Sequence, residues 1–135
     1  MVIDTSAIIA IMAAEPDAAT YSDLIERAPR RFVGAHVRLE CTINIARILG
    51  VEMSAAQLVY DEFLQAAAIE VLPITDRISR IAVDAYGRFG KGRGHPAQLN
   101  FADCFSYACA METAAPLLFK GNDFSRTDVT PATAP

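Results

Sequence analysis

Four short apolar runs, each flanked by a longer stretch with helical spacing, constrain this chain more than any other feature. "MVID" (1–4), "RRFVGA" (30–35), "IEVLPI" (69–74) and "PLLF" (116–119) read as buried strands. Between them lie six segments patterned as helices. Ser6 is the expected N-cap of "AIIAIM", Pro16 and Asp17 open "DAATYSDLIERA", and Gly50 closes "HVRLECTINIARIL". Ser54 and Thr75 are the expected caps of "SAAQLVYDEFLQAAA" and "TDRISRIAVDAYGRF", and "NFADCFSYACAMET" follows a Gly-rich loop. Strands alternating with helices predict an α/β domain with a mostly parallel sheet. In such sheets ligands bind outside the carboxyl ends of the strands. Asp4 stands at the carboxyl end of the first strand, where an acid in an apolar run asks for a reason.

With 135 residues the chain is one domain, drawn here over 1–130, and "TPATAP" reads as a tail from residue 131. The net charge of −4 argues against coating nucleic acid by bulk attraction, though not against a nuclease whose carboxylates are gathered in one site. The basic residues are grouped in "ERAPRR" and "GRFGKGRGH", either as plain solvated loops or as a nucleic-acid path. Three cysteines without C-x-x-C spacing fit a reduced, cytoplasmic setting and give no zinc-ligand pair with His36 or His95. The run "AIIAIMAA" is too short to span a membrane, and no signal peptide is expected.

Four acids fall where such a fold could bring them together. Asp4 ends the first strand. Glu40 lies on the stripe His36, Glu40, Asn44, Arg47 of its helix, which could equally be a solvent-facing stripe. Asp103 lies in the first turn of a helix that is apolar on almost every side. A cap by Asn100 explains that acid locally, but not the stacking of Asn100, Asp103 and Ser106 at i, i+3 and i+6. Asp123 follows the last strand in a Gly-Asn turn, a common place for aspartate. Carboxylates collected at one sheet edge suit magnesium, which takes hard oxygen ligands and keeps several waters.

"VIDTSA", the glutamate of "RLECTI", "LNFADCFSYACA" and "LLFKGNDF" occur in the order and approximate spacing of the PIN-domain nucleases. Over almost the whole chain the sequence resembles the VapC-type toxins of bacterial toxin–antitoxin pairs. The resemblance implies a PIN fold and a Mg2+- or Mn2+-dependent endoribonuclease acting on RNA, typically a tRNA or a ribosomal RNA loop. By position it implies catalytic roles for Asp4, Glu40, Asp103 and Asp123, with Asp4 and Asp103 as metal ligands. Ser6 and Asn100 would place water or phosphate. The resemblance also implies a VapB-type antitoxin and a homodimer. Arg30, Arg31, Lys91 and Arg93 are the expected RNA-binding residues, from the grouping of basic residues on loops.

Two departures stand out. Gly121 occupies a position where many PIN nucleases carry an aspartate, leaving Asp123 as the nearby acid, and "KGRGHP" has one glycine more than the usual pattern. The first leaves open a non-catalytic PIN-fold interaction module. Other α/β carboxylate and phosphate proteins fit less well. A haloacid-dehalogenase phosphatase needs aspartate where Ser6 stands, a phospho-receiver needs an acid pair after the first strand, and "GKG" lacks the Ser or Thr of a P-loop.

Overall fold

The computed structural model describes residues 1–132 and shows four strands and six helices among them. In chain order these are β1 (Val2–Ile3), α1 (Thr5–Met12), α2 (Ala18–Arg27), β2 (Phe32–Gly34), α3 (Val37–Leu49) and α4 (Met53–Ala66). They are followed by β3 (Glu70–Leu72), α5 (Asp76–Phe89), α6 (Phe101–Thr113) and β4 (Leu117–Leu118). The sheet order is β3-β2-β1-β4 and every pair is parallel, as the alternation of strands and helices predicts.

Side chains alternate across the pleat and so build two cores. Val2, Phe32 and Leu117 join Ile78, Ala82, Ala85 and Phe89 of α5 and Cys104, Tyr107 and Ala108 of α6 on one face. Ile3, Val33 and Leu118 join Ile8 of α1, Ile25 of α2, Val37, Cys41 and Ile45 of α3, and Tyr60 and Leu64 of α4 on the other. After β3 the chain crosses from one edge of the sheet to add β4 on the far side of β1. The strand order therefore reverses beside β1, and in sheets of this kind the carboxyl ends of the strands at such a reversal are where a ligand crevice forms.

Several ends differ from their sequence expectation. The cap of α1 is Asp4, not Ser6: its Oδ2 accepts the Ser6 N–H at 3.0 Å. A carboxylate two residues before that N–H is the stronger acceptor, and Ser6 moves into the first turn. Helix α4 begins at Met53 rather than at Ser54, with Glu52 in the cap position and no side-chain cap bond. Thr75 and Gly50 act as expected, Thr75 accepting from Ile78 N–H at 3.2 Å and Gly50 ending α3 at φ 64°. Residues 131 and 132, assigned above to a tail, lie against β4: Pro131 bridges Leu117, and Ala132 N–H donates to its carbonyl at 2.8 Å. The rest of that tail is outside the described residues.

Arg30 and Arg31 lie away from Asp4. They immediately precede β2, at the amino ends of parallel strands and hence at the edge of the sheet opposite Asp4. Arg31 donates to the carbonyls of Ala28 at 3.2 Å, Ala67 at 2.7 Å and Glu26 at 2.6 Å, closing the ends of α2 and α4. Arg30 pairs with Glu70 at 3.4 Å and lies over the Phe32 ring. Arg31 is thus a structural staple. Arg31→Ala leaves three carbonyls to be satisfied by water and is expected to cost about 1–3 kcal/mol in urea unfolding, with the acid crevice unaffected. A loss of RNA affinity without loss of stability would contradict that role.

Candidate active site

Asp4 is the pivot of the crevice. Its residue is only 6% exposed, yet its carboxylate receives three donors. Ser6 N–H and Ser6 Oγ reach Oδ2 at 3.0 and 2.6 Å, and Ser106 Oγ of α6 reaches Oδ1 at 2.6 Å. Each serine is held in turn. Lys120 N–H, just beyond β4, donates to Ser6 Oγ at 3.0 Å, and His36 Nε2 lies 3.1 Å from Ser106 Oγ. The first strand, the last strand and α6 thus converge on one carboxylate.

Asp103, 9% exposed, enters from the first turn of α6. Its Oδ2 accepts Asn100 N–H at 2.9 Å, while Asn100 Oδ1 accepts Asp103 N–H at 2.9 Å, a reciprocal capping box. The local and the functional readings of this acid are therefore compatible: the cap fixes the carboxylate in the crevice. Asn100 spends its side-chain oxygen on the cap, which makes it a support for Asp103. Burial, helped by the charges of Asp4, Asp123 and Glu40 and opposed by the bond to Asn100, pushes the Asp103 carboxyl up to about 7. Glu40 is likewise raised, by burial and by Asp4, with Thr5 partly opposing.

The four acids picked out in the sequence thus share one electrostatic field. Among the described residues no cationic side chain pairs with any of them. The neighbouring cation, Lys120, turns its ammonium to Glu15 and Asp17 on the α1–α2 connection. Gly121 sits at φ 98°, where an aspartate would be strained, so the acid of this loop comes two residues later as Asp123. The stripe on α3 divides: His36 turns inward and Glu40 borders the crevice. Asn44 instead bonds back to the Glu40 carbonyl at 2.8 Å and receives Arg47 at 2.6 Å. Lys91 and Arg93 are exposed in the loop that leads to Asn100 and Asp103.

These residues fit a divalent cation. The donors are carboxylate and hydroxyl oxygens, and their mutual repulsion, visible at Asp103, meets no counter-charge among the described residues. As they stand, no three acidic, histidine or cysteine side chains among the described residues are grouped tightly enough to hold an ion by themselves. Magnesium needs only one or two direct carboxylates, the rest of its shell being water or phosphate.

The model of one domain family, the PIN domain, matches residues 1–129. The chain belongs to the PIN-domain family. The PIN domain is 47% identical over 129 residues to the Mycobacterium tuberculosis ribonuclease VapC28, covering 96% of this chain and 95% of that one. To ribonuclease VapC30 of the same species it is 38% identical over 135 residues, covering all of both. Among solved structures, Mycobacterium tuberculosis VapC20, titled a sarcin-ricin loop cleaving toxin, shares the fold with a TM-score of 0.72 at 20% identity over 96% of this chain and 98% of that one. A toxin–antitoxin complex from Klebsiella pneumoniae shares it with a TM-score of 0.68 at 15% identity, covering 94% and 92%. The resemblance read from "VIDTSA" and "LNFADCFSYA", and the fold it implied, are borne out.

Two residues of the crevice carry no role in the sequence reading. Ser106 is visible there only as a polar residue stacked on Asp103 in an apolar helix. His36 is one member of a mixed stripe, and nothing in its spacing says that it faces α6.

Proposed function

We propose that this protein is a metal-dependent endoribonuclease, the toxin of a VapC-type toxin–antitoxin pair. The observation that carries the proposal is the buried carboxyl of Asp103, raised to about 7 by burial and by three further acids and matched by no basic side chain among the described residues. Asp4 and Asp103 hold Mg2+ or Mn2+, and Glu40 and Asp123, at the border of the crevice, orient water. When bound, such an ion supplies Lewis-acid stabilisation of charge on the phosphoryl group and activates the attacking water. The chain's part is to fix the carboxylates. The two serines hold Asp4, the capping box holds Asp103, and the low-dielectric floor of the crevice strengthens each interaction with phosphate. The test is digestion of total small RNA by purified protein with Mn2+, beside the same reaction with chelator. Cuts that need metal and leave 5′-phosphate ends support the proposal, and metal-independent cutting or none overturns it.

RNA enters past Lys91 and Arg93. Phe101, 79% exposed at the start of α6, offers a ring on which a base can stack beside the acids. Replacing Lys91 and Arg93 by alanine is expected to weaken RNA binding and to flatten its salt slope by about 0.7 for each phosphate no longer neutralised. A double variant with the wild-type slope would remove this loop from the RNA path. The RNA class is a tRNA or a ribosomal RNA loop, in keeping with the single-stranded, splayed bases such an open crevice can accept.

The cognate partner is a VapB-type antitoxin, the protein acts in the cytoplasm, and a second copy forms a homodimer. Apolar side chains exposed on α3 and α4, Leu39, Ile43 and Leu58, support an association of this kind. The interaction-module alternative rests on Gly121. With Asp123 adding its charge at Asp103, no separate observation favours it.

A further inference from the structure

His36 takes no part in the chemistry proposed above, yet its surroundings are too specific for a plain core histidine. It stands at the N-terminal cap position of α3 and makes no cap bond. Its ring instead lies against Gly34, where an added Cβ would come within 2.5 Å of both Cε1 and Nδ1. Gly34 has no positive φ that would call for glycine. The residue is small because the imidazole fills the space a side chain would take. Phe105 packs at 5.5 Å on the ring, and Nε2 is left facing Ser106 Oγ at 3.1 Å.

Proton counting settles the direction of that bond. Asp4 Oδ1 only accepts, so the single hydroxyl proton of Ser106 goes to it, across 2.6 Å. Ser106 Oγ must then accept from His36, which places the imidazole proton on Nε2. Nδ1 is buried with no partner among the described residues, as befits the bare nitrogen of a neutral ring. Burial lowers the His36 pKa and keeps the ring neutral, although Asp4 acts in the opposite sense.

We infer that His36 is a positioning residue, whose Nε2–H, aimed by the glycine at position 34, orients the Ser106 hydroxyl and through it the carboxylate of Asp4. The relay His36 to Ser106 to Asp4 mirrors the one from Lys120 N–H through Ser6, so Asp4 is clamped on both oxygens. Three of its lone-pair sites are thereby occupied, and the one left, on Oδ1, is free for a ligand. This inference rests on the metal-site reading, because orientation of Asp4 matters only for something it binds.

The test uses Mn2+ alone as the probe, with affinity read by calorimetry on the folded, full-length protein. His36→Asn puts its amide near the Nδ1 position, short of Ser106, and is expected to weaken Mn2+ binding about 10-fold. His36→Gln carries its amide to the Nε2 position and is expected to restore affinity to within about 3-fold of wild type. In a Ser106→Ala background His36→Asn is expected to change nothing further, because the link is already cut. Nitrogen NMR of the wild-type ring reads the tautomer independently of any variant, and is expected to show the proton on Nε2. Equal losses from Asn and Gln, an undiminished His36→Asn effect without Ser106, or a proton on Nδ1 would each overturn the inference while leaving the metal site standing. Failure of the wild type itself to bind Mn2+ would overturn both together.

Discussion

Asp4→Asn is expected to abolish metal-dependent RNA cleavage, lowering the rate by on the order of 10³ or more while leaving the protein folded. Asparagine is as good an N-cap as aspartate, so the bond from Ser6 N–H that starts α1 survives. Removing the negative charge takes away a ligand to the ion, and with it several kcal/mol of charge stabilisation at the phosphoryl group. Initial rates on a single RNA substrate, with unfolding followed on the same samples, check both halves. A folded variant that cleaves within 10-fold of wild type would take Asp4 out of the chemistry.

Asp103→Asn is expected to inactivate the enzyme and at the same time to stabilise the metal-free protein. A carboxyl whose pKa is raised to about 7 on folding binds its proton more tightly in the folded chain than in the unfolded one. Stability therefore declines as pH rises from about 4 towards 7, and the full loss persists above that window. Glu40, also raised, adds to the decline with the same sign. A rise from the usual range to about 7 corresponds to about 4 kcal/mol, and residual screening by solvent brings this to roughly 2–3 kcal/mol. Asparagine cannot ionise and can still accept from Asn100 N–H, so the capping box remains closed on that side. At pH 8 without metal the variant should melt about 6–12 °C above wild type, and at pH 4 the difference should nearly vanish. Saturating Mn2+ should reverse the order, because only the wild type gains the stability that binding supplies. A variant less stable than wild type at pH 8 would mean that the acids do not strain one another.

The parts of this protein legible in its sequence are those set by local chemistry. β-branched runs bounded by helical periods give a parallel sheet, and the positions of Thr75, Gly50 and Asn100 give helix ends that hold in three dimensions. Asp4 and Asp103 are legible because each is an acid where the pattern asks for an apolar residue. Position across the fold is harder to read. The cluster around Arg30 and Arg31 looks like the one around Lys91 and Arg93, since charge grouping carries no information about which end of a strand a loop adjoins. Only the order β3-β2-β1-β4, with every strand parallel, puts Arg30 and Arg31 at the end of the sheet opposite Asp4. Gly34 and His36 show a different limit of sequence reading. Their link is a steric one, between a missing Cβ and a ring two residues on, and it has meaning only once α6 brings Ser106 to the same place.

The central claim is that four carboxylates hold a common field which a divalent cation relieves, and proton release on metal binding measures it most directly. Mn2+ titrated calorimetrically at pH 6.5, in two buffers of different ionisation enthalpy, is expected to displace protons from Asp103. The release should fall towards zero by pH 8.5 and be absent at both pH values in Asp103→Asn. Binding with no proton released at pH 6.5, or no binding at all, would contradict the account.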